Sequence, residues 1–163
     1  MPLSRIDDVL TRRLPAACQR VFDVARLREV ARLDPQPGGS EFLPLVLDTF
    51  GSSLTQHQGH VQAAQRDRNG QQLCQIVHTL KTSALGVGAL RLGDCAARLD
   101  ASLKALSCSA ASVVQLQALV VELLQEVDFA LKAVSALVHE LKGQDELGHG
   151  TVSRPGGLRR RAG

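Results

Sequence analysis

The sequence has no Trp, no Tyr and only four Phe among its 163 residues. Proteins that bind single-stranded nucleic acid stack bases on several exposed aromatic rings, so no base-stacking platform is expected. The hydrophobic fraction of 44% consists mostly of Leu, Val and Ala. This composition favours helix–helix packing over a β-sandwich.

Several other features are absent. No run of 18 apolar residues occurs, so the sequence predicts no transmembrane helix. The four cysteines form no C-x-x-C pair and no signal peptide is recognised, which indicates a cytoplasmic protein. His57 and His60 lack a local third ligand, so no metal site is predicted. No nucleotide-binding loop or paired catalytic carboxylate is found.

The positive charge of the chain is concentrated at its end. The formal net charge is +3, of which residues 143–163 contribute +2 and the rest only +1. The near-neutral remainder predicts no nucleic-acid groove. We expect residues 143–163 to be a solvated, disordered basic tail, with contact to nucleic acid or lipid headgroups as the alternative.

Apolar residues recur at spacings of three and four, which predicts helices joined by short breaks. We expect an all-α fold, an up-and-down antiparallel four-helix bundle with a short N-terminal helix. Residues 1–22 are predicted to form a linker or N-terminal helix, and residues 23–142 the bundle. The predicted helices cover residues 4–14, 24–33, 41–66, 71–85, 89–106 and about 112–142, with Asp23 and Ser40 as caps and Gly143 as the last stop.

The last helix has the most regular apolar seam. Its members alternate spacings of three and four: Val113, Leu116, Val120, Leu123, Val127, Ala130, Val134, Leu137 and Leu141. Such a seam packs in a helix bundle or coiled coil. We interpret it as core of a monomer, with a dimer face as the alternative.

One histidine faces away from the predicted core. The core side of its helix carries Leu73, Val77, Leu80, Ala84 and Val87. At about 100° per residue, His78 lies roughly 140° from that stripe. Lys81 stands one turn on, close enough to neighbour the imidazole. Leu85 also lies off the stripe and is predicted to be exposed.

These residues resemble a known signature. His78-Thr79-Leu80-Lys81-x-Ser83 is followed by Gly88-Ala89, and then by Leu92, Cys95, Leu99 and Asp100. This order is similar to that of histidine phosphotransfer (HPt) domains, H-x-L-K-G-S with G-A about ten residues after the histidine. The resemblance covers roughly residues 24–142. It departs from the family at three positions, where Val77 replaces a common alanine, Thr82 a glycine and Asp100 a glutamate.

The resemblance implies a role for each residue. His78 would accept the phosphoryl group and Lys81 would neutralise its charge. Gln75, Thr82 and Ser83 would support the site, although Ser83 has a backbone carbonyl as its alternative partner. By the same resemblance, Asp100 would orient the unreactive imidazole nitrogen. Leu85 would anchor a response-regulator receiver domain, which itself supplies the aspartate and Mg²⁺.

The resulting hypothesis is a phosphocarrier of a two-component phosphorelay, without an ATP site of its own. Its parent would be a hybrid sensor kinase, which could tether it to the inner membrane. Two alternatives stay open. One is a helical interaction or dimerisation module that binds a receiver without carrying phosphate. The other is a histidine-kinase dimerisation domain, which predicts an acidic residue where Thr79 stands.

Overall fold

The computed structural model describes residues 5–36, 41–105 and 110–143, and its regular structure in these ranges is entirely α-helical. The all-α class predicted from the sequence is therefore confirmed. The described ranges contain seven helices: α1 (Arg5–Arg12), α2 (Ala16–Val21), α3 (Val24–Ala31), α4 (Phe42–Arg66), α5 (Gly70–Val87), α6 (Leu90–Lys104) and α7 (Ala110–Lys142). The predicted cap at Ser40 and the basic tail beyond residue 143 lie outside the described residues. Within these ranges, no helix is long and apolar enough to cross a membrane.

Local capping explains where two of the helices begin. Asp23 precedes α3, and its Oδ1 accepts a hydrogen bond from the Ala25 N–H at 2.9 Å. Asn69 precedes α5 and accepts from the Gln72 N–H at 3.0 Å. These side chains satisfy amide donors that have no partner inside the first turn. The predicted start of α3 is confirmed, whereas α5 begins directly at the turn expected around Gly70.

The sequence pattern did not predict α2. This helix begins directly after Pro15 and has six residues. Only Cys18 and Val21 of that helix are buried. Two buried positions in six residues are too few to define a helical period. Helix α2 packs mainly on α7, where the Cys18 thiol donates to the Ala133 carbonyl at 3.2 Å.

The four long helices contact one another in a closed cycle, α4 with α5, α5 with α6, α6 with α7 and α7 with α4. Cross-helix contacts establish that α7 runs antiparallel to α4. Asp48 near the start of α4 pairs with Lys142 at the end of α7, and Gln58 farther along α4 bonds Asp128. All five stripe residues predicted for α5 are buried in the shared core.

The seam of α7 is buried from Val120 to Leu141, but the prediction fails at its first turn, where Val113 is 51% exposed. The cause is length. Helix α7 has 33 residues against 25 in α4 and 15 in α6. At 1.5 Å per residue, α7 extends about 12 Å farther than α4 would cover. The exposed Val113 therefore lies on the part of α7 that extends past α4.

Helix α4 ends at a strained residue. Arg68 has φ +53°, the left-handed conformation that favours glycine. The Asn69 N–H reaches back to the Ala64 carbonyl at 2.9 Å, as in a Schellman-type helix end.

Arg68→Gly is expected to raise the free energy of unfolding by about 0.5–1 kcal/mol, because glycine relieves the side-chain clash. Urea denaturation followed by circular dichroism at 222 nm measures it. Arg68→Ala keeps the Cβ and should bring no gain. Equal stabilities of the glycine and alanine variants would contradict this account.

Candidate functional site

His78 lies on the outer face of α5, with 61% of its side chain exposed. Its neighbours Val77 and Leu80 are fully buried in the core. The burial of these two residues fixes the rotation of the helix and so directs the imidazole to solvent. The exposure of His78 agrees with the helical period read from the sequence.

Asp100 is the buried partner of this surface. It comes from α6, directly after the fully buried Leu99, and only 5% of its side chain is exposed. Its Oδ2 accepts hydrogen bonds from Nζ of Lys81 at 2.9 Å and from Nζ of Lys104 at 2.8 Å. Nδ1 of His78 lies 3.9 Å from the same oxygen, which is beyond hydrogen-bond distance.

The two lysines determine the charge of Asp100. Hydrogen bonds from Lys104 and Lys81 hold the pKa of Asp100 down at about 2, against a usual value of 3.8, although burial alone would raise it. The same bond to Asp100 raises the pKa of Lys104. Asp100 is therefore a carboxylate at neutral pH, and Lys104, whose pKa is raised, is a cation.

This lowered pKa predicts a pH dependence of stability. A carboxyl group with a lowered folded-state pKa stabilises the fold above its unfolded pKa, and this contribution is lost as the pH falls. For Asp100 the loss spans about pH 4 to pH 2. We expect Asp100→Asn to lose less unfolding free energy than the wild type over this interval. Urea denaturation at a series of pH values from 5 to 2.5 measures these free energies. An equal fall in unfolding free energy for the two proteins over this range would contradict the assignment.

The hydroxyl groups predicted to support the site bond to their own helix. Thr82 Oγ1 donates to the His78 carbonyl at 3.1 Å, and Ser83 Oγ donates to the Leu80 carbonyl at 3.1 Å. The alternative partner considered for Ser83, a backbone carbonyl, is the one observed. Such bonds leave these hydroxyls turned along the helix. Thr82 and Gln75 are both exposed.

Leu85 is 41% exposed, as its helical position predicted, and it lies two turns beyond His78. It packs over Gly93 of α6, where an added Cβ would stand 2.6 Å from Leu85 Cδ2. Glycine at this position lets α6 approach α5 and leaves the leucine half outside. Leu90 at the start of α6 is 45% exposed. Leu85 thus provides an exposed apolar side chain two helical turns from His78.

A depression of about 320 Å³ opens beside His78, between α5 and α6. Besides His78 and Asp100, its lining residues are Cys74, Gln75, Thr79 and Lys104. Lys104 and Cys74 were not predicted to belong to the site. The available signal was spacing, since Cys74 stands four residues before His78 and Lys104 four after Asp100, each one helical turn away.

The described residues offer little support for other chemistries. Among them, no group of three or more His, Cys, Asp or Glu is arranged to hold a metal ion. Burial raises the pKa values of Cys18 and Cys95 to about 11, so neither is a ready nucleophile. His57 is half-buried and burial lowers its pKa, with a further contribution from His60.

Comparisons with protein-family models, curated proteins and solved structures found no significant match to this chain.

Proposed function

We propose that the chain is a phosphocarrier of a two-component phosphorelay, an HPt-like domain built on an up-and-down four-helix bundle. In this proposal His78 accepts a phosphoryl group from the aspartate of a receiver domain and passes it on. One observation carries the proposal: an exposed imidazole has its Nδ1 beside a buried carboxylate that is itself held by two lysines.

The arrangement suits a nucleophilic histidine. A neutral imidazole carries its proton on one ring nitrogen and a lone pair on the other. Asp100 is ionised and lies on the Nδ1 side, so it favours the proton on Nδ1 and the lone pair on Nε2. Nε2 is then the atom that attacks phosphorus.

The transfer forms one bond to phosphorus and breaks another. The Nε2 lone pair forms the N–P bond while the P–O bond of the partner's acyl phosphate breaks, and the carboxylate leaves with that electron pair. The proton stays on Nδ1, where the positive charge that develops on the ring faces Asp100. Phosphoryl transfer depends mainly on alignment and charge neutralisation. The receiver domain would supply Mg²⁺, and Lys81 would offset the phosphoryl charge.

The surface around His78 supports docking of a partner. Leu85 offers an apolar side chain near the end of α5, and exposed polar residues such as Thr82 and Gln75 surround His78 on the same helix. Apolar anchors ringed by polar groups are typical of specific interfaces. The seam of α7 from Val120 to Leu141 is buried within the chain itself, which favours its role as core of a monomer over a dimer face. The proposed setting is cytoplasmic, as a module of a hybrid sensor kinase.

The transfer reaction tests this proposal. The full chain is mixed with several receiver domains that carry radiolabelled acyl phosphate, in the presence of Mg²⁺. We expect acid-labile, base-stable label on the chain, and peptide mapping should assign it to His78. Binding of receivers without label would contradict the carrier and leave the interaction module as the explanation.

A further inference from the structure

Three nitrogen atoms converge on one oxygen of Asp100. Lys104 and Lys81 donate to Oδ2 at 2.8 and 2.9 Å, and Nδ1 of His78 lies 3.9 Å from the same oxygen. The other oxygen, Oδ1, has a weak contact with the Cys74 thiol at 3.9 Å. A carboxylate oxygen that already accepts from two ammonium groups is a poor acceptor for a third donor. In this state Oδ2 is hydrogen-bonded to the two lysines, and the Nδ1 proton of His78 is attracted to Asp100 without a hydrogen bond to it.

The two lysines are not equally placed to leave Asp100. Lys81 is part of the histidine motif, but only 25% of its side chain is exposed. Lys104 is 58% exposed and lines the depression beside His78. An ammonium group on a flexible four-carbon stem can change partners without moving the backbone. Lys104 is therefore the cation that can reach a group attached to the outer side of the imidazole.

Phosphorylation of His78 would change the charge balance around Lys104. Asp100 and the two lysines together carry one positive charge. A phosphoryl group brings about two negative charges and the phosphorylated ring one positive charge, which leaves the cluster near zero. Without the charge of Lys104, the same state would hold about one net negative charge around a buried carboxylate. Phosphorylation thus creates a second anion that competes with Asp100 for Lys104.

We infer that Lys104 is a second phosphoryl-binding residue, which exchanges Asp100 for the phosphoryl oxygens when His78 is phosphorylated. As Lys104 leaves, Oδ2 becomes free to accept the proton of Nδ1, which bears the positive charge after transfer. One movement thus neutralises both ends of the phosphorylated ring. This inference rests on the proposed function, since it requires His78 to carry a phosphoryl group.

Phosphoramidate, which phosphorylates histidine without a partner protein, tests the exchange on the full chain. Nε2 attacks phosphorus, and ammonia leaves with the electron pair of the donor's P–N bond. We expect Lys104→Gln to slow the phosphorylation of His78 about five- to tenfold, because a cation that attracts the donor and stabilises the transferring group is lost. Lys104→Arg should restore most of the rate. The exposed Lys132 of α7 provides the control, and Lys132→Gln should react like the wild type.

A second readout follows the carboxylate directly. In the wild type, the ¹³C resonance of the Asp100 carboxyl group should shift on phosphorylation, as it loses an ammonium donor and gains the Nδ1 proton. In Lys104→Gln this shift should be much smaller, because no ion pair with residue 104 exists to be broken. If Lys104 had only a structural role, Lys104→Gln would change thermal unfolding. The carboxyl shift on phosphorylation would then be as large in this variant as in the wild type.

The outcomes separate the two proposals. If His78 of the wild type is phosphorylated and Lys104→Gln reacts at the same rate with the same carboxyl shift, the exchange is wrong and the phosphocarrier stands. If neither phosphoramidate nor any receiver labels His78 in the wild type, the phosphocarrier fails and the exchange fails with it.

Discussion

His78→Gln is expected to abolish the acid-labile phosphate on this chain, in transfer from a receiver domain and in direct labelling by phosphoramidate. Glutamine is similar in size and polar, but its amide nitrogen has no free lone pair to attack phosphorus. Residue 78 is exposed, so the change should alter the free energy of unfolding by less than about 0.5 kcal/mol. Loss of label is then a chemical effect and not a loss of fold.

Two other exposed histidines provide matched controls. His60 lies on α4 and His139 on α7, both on solvent-facing positions like His78. His60→Gln and His139→Gln should retain the wild-type amount of label when measured by autoradiography after an alkaline gel. Label that survives in His78→Gln but disappears in one of the controls would move the phosphoacceptor to that histidine and refute the site described above.

Gly88→Ala is expected to lower the free energy of unfolding by about 2–4 kcal/mol. Gly88 ends α5 at φ +81°, and an added Cβ would stand 2.7 Å from Arg26 Cβ and 3.2 Å from the Asp23 carbonyl oxygen. Its own carbonyl accepts the Asp23 N–H at 2.8 Å, which ties α3 to the corner between α5 and α6. A side chain at residue 88 therefore strains the backbone and also pushes against a neighbouring chain segment.

Gly86→Ala, only two residues away, should have the opposite sign. Gly86 is exposed near the end of α5, and in the described part of the chain no atom outside its own stretch of helix lies within 4 Å of the Cβ it would gain. Alanine there should raise the free energy of unfolding by up to about 1 kcal/mol. Chemical denaturation of the two variants side by side checks both values. A Gly88→Ala variant as stable as the wild type would contradict the expectation that a side chain at residue 88 strains the end of α5.

The resemblance to HPt domains includes Gly88-Ala89, and the helix end supplies a physical reason for that pair. The Ala89 N–H donates to the Ala84 carbonyl at 2.8 Å and the Gly88 N–H to the Leu85 carbonyl at 3.2 Å. These two bonds define a Schellman motif, which needs a left-handed residue followed by a residue that packs inward. Ala89 is fully buried. The pair therefore closes α5 and starts α6 at a defined angle, which brings Asp100 to His78.

Features that depend on local periodicity could be predicted from the amino-acid sequence. The spacing of Val77, Leu80 and Ala84 is enough to make α5 a helix and to turn His78 outward, because each residue advances the helix by a constant angle. Asp23 was recognisable as a cap because its interaction is made within two residues of the chain. The all-α class follows from the same repetition in every segment.

Contacts between side chains of different helices could be identified only from the tertiary structure. The convergence of Lys81 and His78 of α5 with Lys104 and Asp100 of α6 depends on the register between the helices, which the Gly88 corner and the close contact at Gly93 set. The exposure of Val113 depends on where the neighbours of α7 end. No local period encodes these distances, since they arise from packing between segments far apart in the chain. The outward position of His78 was therefore predictable, and the resemblance placed Asp100 beside it, whereas the ion pairs of Asp100 with Lys81 and Lys104 were not predicted.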